Sequence, residues 1–191
     1  MSLTVHVPLA EGFEEIEAVT IIDVLRRGGL SVRTAGPAGR RVTGSHGITL
    51  EADAELGELL ARTPRRGEDA LVLPGGMPGA ATLRDHDGLG RFIASAAEAG
   101  CLVAAICAAP IALGRAGVLR GRRATCYPGF EEELTGATTC EERVCRDVRG
   151  AGPIITSRGP GTALEFALAV LVELGQGDAA GRLRAGMLVG G

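Results

Sequence analysis

The sequence has no tryptophan, one tyrosine and four phenylalanines, so aromatics make up only 3% of its 191 residues. That scarcity argues against the exposed aromatic platforms on which single-stranded nucleic acids stack, and it obliges the core to be aliphatic. Lysine is absent too. All 20 basic residues are arginine, which reads as a bias of the coding genome rather than as chemistry. With 23 acidic residues the net charge is −3, so electrostatics give no reason to expect a nucleic acid or an anionic membrane as partner. The longest strongly apolar run, Cys101 to Leu113, contains Pro110 and falls short of the ~20 residues that a membrane span needs. "MSLTVHVPLAEG" lacks a basic start and soon turns acidic, so no secretory leader is expected. Five cysteines at irregular spacing suit reduced thiols better than a disulfide framework, and a cytoplasmic location is expected. Metal-ligand patterns are missing as well. His6, His46 and His86 stand alone, and Cys140 and Cys145 lack a C-x2-C partner pair. Their neighbourhood reads as a solvated connecting segment, and no metal is expected.

What is present is aliphatic and ordered. Hydrophobic residues make up 46% of the chain, enough to exclude disorder and to give one domain over residues 1–191. Apolar runs alternate with helical periodicity, the pattern of an α/β fold with a parallel sheet and helices on both faces. Leu3 to Leu9 reads as a first strand. Glu14 to Gly28 reads as a helix whose Ile16, Val19, Ile22 and Leu25 recur on one face. Leu30 to Ala35, Ala70 to Leu73 and Leu102 to Ile106 are the next strands, with a hairpin excursion at "RRVTGSHGITLEAD" and a brief helix at "DAELGELL". Helices are expected from about Leu89 to Gly100, over Ala108 to Arg115 and over Thr162 to Leu174. Ala124 to Cys126, Arg143 to Val148 and Pro153 to Thr156 read as strands.

In an open α/β sheet, ligands gather at the carboxyl ends of the strands. "AEGFEEIE", "LPGGMPG" and "ICAAP" arrive there after three of these strands. Cys107 would sit in a first helical turn, where free N–H groups and the dipole favour a thiolate. It is therefore expected to be more acidic than the other four cysteines. Taken alone, core filler and nucleophile are equally good readings of it. Gly75 and Gly76 read first as a tight turn, although glycines there also let backbone N–H groups approach a ligand. Glu14, Glu15 and Glu17 at a helix start ordinarily complement the dipole and face water. Glu17, however, lies beside the apolar face, where a carboxyl next to a thiolate would have a raised pKa. "SRGPGT" lacks a full phosphate-loop pattern and reads as a helix-start turn.

In this order, "EGFEEIEAV", "DALVLPGG", "VAAICAAP", "ATCYPGFE" and "TSRGPGTALEFAL" closely resemble the DJ-one/ThiJ/PfpI family, in the branch of the Parkinson-disease-associated protein deglycase. The resemblance runs from Leu3 to about Leu183. It implies a flavodoxin-like three-layer sandwich with a nucleophile elbow, no cofactor, and a homodimer that uses the first helix and Arg27. Cys107 matches the family's nucleophile, Glu17 the carboxyl hydrogen-bonded to it, and Glu14 a second pocket carboxylate. Gly75, Gly76 and Ala108 match the backbone donors around the sulfur. Two positions depart from the pattern, Tyr127 for a pocket histidine and His46 for a pocket arginine, and both, with Glu14 and Arg27, are expected to meet substrate. The protease-like branch has a histidine where this chain has Ala108, which removes the Cys–His pair that peptide cleavage needs. The implied activity is that of a glyoxalase or deglycase, acting on α-oxoaldehydes or their early protein adducts. The alternative is an oxidation sensor or holdase switched at Cys107.

Overall fold

The computed structural model describes residues 3–190, and its centre is a seven-stranded sheet built on the most apolar runs of the chain. In chain order come β1 (Thr4–Pro8), α1 (Glu15–Arg27), β2 (Ser31–Gly36), the hairpin β3 (Arg41–Thr43) and β4 (Thr49–Glu51), β5 (Ala54–Glu55) and α2 (Leu56–Leu60). Next are β6 (Asp69–Leu73), α3 (Gly79–Asp85), α4 (Asp87–Glu98), β7 (Leu102–Ile106), α5 (Pro110–Arg115), β8 (Arg123–Ala124) and β9 (Thr138–Thr139). The last four are β10 (Val144–Asp147), β11 (Ile154–Ser157), α6 (Ala163–Glu173) and α7 (Gly177–Gly186).

The sheet runs β10-β11-β7-β6-β1-β2-β5, parallel throughout except for the β10–β11 pair. Every residue of β6 and β7 is buried, as expected of central strands covered on both faces. Helix α1 carries the chain from β1 to β2, whereas α3 and α4 carry it from β6 to β7 in the opposite direction across the sheet. Right-handed crossovers then place α1 on one face and α3–α4 on the other. The packing agrees, since α1 lies against α6 while α3 and α4 lie against α5. The result is the expected α/β, flavodoxin-like layering. The winding reverses between β1 and β6, so the loops after these strands, with the one after neighbouring β7, flank the crevice where such sheets take ligands.

Three local readings change in the structure. Ile16 and Val19 do not face the core; they are 58% and 46% exposed. The buried side of α1 is instead Glu15, Glu17, Ala18, Ile21, Val24 and Leu25, so Glu15, read as a water-facing dipole carboxyl, is buried, along with Glu14 and with Glu17, which was expected beside the apolar face. Tertiary placement overrides the apolar stripe, because the polar edge of α1 is the one that meets the ends of β6 and β7. The helix after Cys107 begins at Pro110 rather than Ala108, since Cys107 has φ 64 and the next two residues complete a turn. Cys145 lies fully buried on β10, not in a solvated connector. Helices α3 and α7 were not legible in the sequence, being short and rich in glycine and alanine, with little apolar periodicity.

Candidate active site

Cys107 occupies the corner after β7, one of two non-glycine residues with positive φ among the described residues. A left-handed residue with a Cβ costs about 1–2 kcal/mol, so the surroundings must hold it there. They do so through its own peptide: the Cys107 N–H donates to the Ser157 carbonyl at 2.9 Å, and its carbonyl accepts from the Tyr127 N–H at 2.8 Å. The side chain is 8% exposed and is turned toward the loop after β6.

That loop contains Gly75 and Gly76, and the structure explains both glycines. A Cβ on Gly75 would lie 2.7 Å from Cys107 Cβ and 2.8 Å from Glu17 Oε2. Gly76 has φ 93, and a Cβ there would meet the backbone nitrogen of Glu14 at 2.3 Å. The missing side chains let the β6 loop sit against both the elbow and the start of α1. Gly75 donates its N–H to Glu17 Oε2 at 2.8 Å, and the Gly76 and Ala108 N–H groups are directed at the Cys107 sulfur.

Glu17 is fully buried, and its Oε1 has no hydrogen-bond partner among the described residues. The group beside that carboxyl is the Cys107 thiol. Burial pushes Glu17 up to about 7 and the charge of Glu14 adds to the rise, while the Gly75 N–H and the thiol work against it. Because Oε2 already accepts an N–H, the proton of the neutral acid belongs on Oε1, the oxygen free to reach sulfur. Glu14, also buried, caps α1 by accepting the Glu17 N–H at 2.7 Å. Burial, followed by the charge and hydrogen bond of Glu17, pushes the Cys107 thiol up to about 12, against the pull of the Ala108 and Gly76 N–H groups. Cys101 and Cys126 are raised only to about 11. The expectation of an unusually acidic Cys107 is therefore corrected. The helix that was to favour the thiolate starts three residues further on, and a buried carboxyl stands in contact instead. The two groups titrate as a coupled pair, each carrying charge at the other's expense, so a thiolate is favoured where Glu17 keeps the proton.

The family model for the DJ-1/PfpI family matches residues 3–173. The chain belongs to the DJ-1/PfpI family. It is 43% identical over 173 residues to DJ-1 homolog A of Arabidopsis thaliana, covering 90% of this chain but 43% of that protein, so it spans less than half of this relative. The structure of oxidized Toxoplasma gondii DJ-1 superposes with a TM-score of 0.88 at 37% identity, covering 98% of both chains. The glutathione-independent glyoxalase DJR-1.2 of Caenorhabditis elegans is 34% identical over 166 residues, covering 86% of this chain and 84% of that one.

Within this DJ-1/PfpI chain, the remaining expected site residues divide. Tyr127 is joined to the elbow through its N–H, and its ring lies over Gly159, half exposed. His46 is joined to α1 by way of Glu15: its N–H and Nδ1 meet the two Glu15 oxygens at 2.6 and 2.9 Å. His46 and Ile48 help to hold the Glu15 carboxyl at about 2 despite its burial. Glu15 was missed as a positioning residue because its partner lies 31 positions away, on the β3–β4 hairpin. Arg27 is not at the site. It pairs with Asp23 at 2.6 Å in the last turn of α1, ten residues beyond Glu17 and so about 15 Å along the helix. The structure also gathers two groups of potential ligand atoms, Glu14–Glu15–His46 and Cys140–Glu142–Cys145. No described helix is long and apolar enough to cross a membrane.

Proposed function

We propose that this chain is a cofactor-independent enzyme that converts α-oxoaldehydes such as methylglyoxal, free or as early protein adducts, to hydroxy acids. The observation that carries this reading is the contact between Cys107 and Glu17, a buried carboxyl raised to about 7, with two N–H groups aimed at the sulfur. The glyoxalase name of the nematode relative supports it.

In this mechanism the Cys107 thiolate adds to the aldehyde carbon, and the Gly76 and Ala108 N–H groups receive the developing oxyanion. Glu17, which holds the proton while the thiolate attacks, gives it to the oxyanion. The carboxylate so formed takes the proton from that carbon and returns it to the neighbouring carbonyl carbon, while the hydroxyl proton passes to the neighbouring oxygen. The hemithioacetal thereby becomes a thioester of the hydroxy acid. Water cleaves the thioester, releasing lactate and restoring the thiol. One water is consumed and no external oxidant is required, so the reaction needs only a group able to move a proton near neutral pH. Tyr127 and His46 are assigned to the substrate side of the site, where they stand in for histidine and arginine.

The test is steady-state conversion of methylglyoxal to lactate. Wild type should turn over many times per chain, while Cys107→Ala should fall to the uncatalysed rate with its melting temperature nearly unchanged. One oxidation per chain with peroxide and no aldehyde turnover would replace this reading with a Cys107 oxidation sensor. That second reading draws on the same Glu17 contact, since a protonated carboxyl would donate equally to a sulfinate.

We further assign a homodimer to the exposed edge of α1. Ile16, Val19 and Ile48 are each about half exposed. Ile48 sits next to them because its N–H donates to Glu15 Oε1 at 3.3 Å. Covering these residues with the same patch of a second chain gives a two-fold contact. Light scattering is expected to give about twice the 19.5 kDa chain mass, and Ile16→Glu to halve it. A wild-type monomer at micromolar concentration would overturn the assignment. The five free cysteines are in keeping with the reducing cytoplasm as the setting.

A further inference from the structure

We infer that Cys140 and Cys145 form a second, independent thiol site: a dithiol that a hydroperoxide closes into an intrachain disulfide. Four residues separate them in sequence, and the fold brings them together. Cys140 follows β9, tied by its N–H to the Ala124 carbonyl at 2.9 Å, while Cys145 sits on β10, paired with Thr156 of β11. Their sulfur atoms and a carboxylate oxygen of Glu142 all lie within 4.8 Å of one another. Cys140 is partly exposed and Cys145 is buried, which assigns the roles: an oxidant reaches the first, and the second resolves it.

Two thiols and a carboxylate are also a ligand set for a soft metal ion, and Arg123 decides between the readings. Its guanidinium pairs with Glu142 and stands close enough to both sulfurs to interact with their charges. A fixed cation there repels a metal ion and already occupies the third ligand, whereas it leaves the two sulfur atoms free to react with each other. The chemistry balances without any further reagent. The Cys140 thiolate takes the terminal oxygen of the hydroperoxide, giving a sulfenic acid and, after proton uptake, an alcohol (or water from hydrogen peroxide). Cys145 sulfur then attacks the sulfenic sulfur, forming the S–S bond, and the hydroxyl leaves as water with the Cys145 proton. Two electrons pass from the two thiols to the O–O bond. The new bond would join the two segments that hold the Cys107 peptide: Ala124 lies three residues before Tyr127, and β10 pairs with β11, which ends at Ser157.

The experiment is peroxide treatment of the full chain at about one equivalent, alkylation of the remaining thiols, and tryptic mass mapping. Arg143 separates the two cysteines, so the disulfide would link peptide 124–143 to peptide 144–146. The expected result is this cross-link, cleaved by dithiothreitol and retained in Cys126→Ser, which removes the other thiol of the larger peptide. Cys140→Ser should abolish it and leave Cys145 alkylatable. Both thiols still open to alkylation after peroxide, or Cys140 joined to a second chain instead, would overturn the inference. So would protection of both thiols by equimolar zinc with no cross-link under peroxide, which would make the group a metal site.

Discussion

Glu17→Gln is expected to make the protein more stable and less active at the same time. The carboxyl is fully buried and pushed up from 4.5 to about 7, so the folded state holds a proton that the unfolded chain has already released between those values. Stability from this group is therefore complete below about pH 4.5, falls as the pH rises to about 7, and stays at its lower level beyond that. At 1.36 kcal/mol for each tenfold change in proton affinity, the loss amounts to about 3 kcal/mol. Glutamine has nothing to ionise. Its oxygen can still accept the Gly75 N–H, and its amide can donate to the Cys107 sulfur. Melting curves should show the variant above wild type at pH 8 and level with it at pH 4.5. Turnover should fall by about 10²–10⁴-fold, as for the loss of a positioned acid–base group. Equal melting temperatures at pH 8 would mean that the carboxyl ionises without hindrance. Unchanged turnover would remove Glu17 from the proposed chemistry.

The same residue shows how far the sequence could be read. The strand runs around "LVLPGG" and "LVAAIC" are uniformly apolar and bounded by turn residues, so β6, β7 and a parallel sheet with helices on both faces were legible from pattern alone. So was the convergence of the β1, β6 and β7 loops, which follows from topology. The orientation of α1 was not. Periodicity favoured burying Ile16 and Val19, yet the fold turns Glu17 inward and leaves both of them exposed. The outcome depends on partners far away in sequence, Gly75 at 58 positions from Glu17 and His46 at 31 from Glu15. The acidity of Cys107 failed for a related reason. A helix terminus can be read from spacing, but a desolvated carboxyl in contact with the sulfur cannot. Cys140 and Cys145 carried no recognisable spacing, because they meet through the pairing of β8 with β9 and the packing of β8 on β10.

Gly76→Ala is expected to be the most destabilising single-methyl change at the site. Two costs coincide there. The backbone sits at φ 93, which a residue with a Cβ adopts at about 1–2 kcal/mol. The new methyl would also meet Glu14 N at 2.3 Å, Gly12 O at 2.5 Å and Phe13 C at 2.5 Å, all main-chain atoms that no rotamer change can move aside. Overpacking of that kind adds about 1–3 kcal/mol. Gly67→Ala separates the two contributions, since Gly67 has φ 78 with nothing within 4 Å of a built Cβ and so bears the backbone cost alone. Thermal unfolding should place Gly67→Ala a few degrees below wild type and Gly76→Ala roughly 4–20 °C below it, at about 2–4 °C for each kcal/mol in a domain of this size. Any relief of the clash must draw the β6 loop away from the start of α1, carrying the Gly76 N–H away from the Cys107 sulfur. Turnover measured well below the transition should then drop by about tenfold or more, because an oxyanion donor acts only over hydrogen-bond distance. If Gly76→Ala melts with Gly67→Ala and turns over like wild type, the loop is free to yield. The glycine would then serve the turn and not the sulfur.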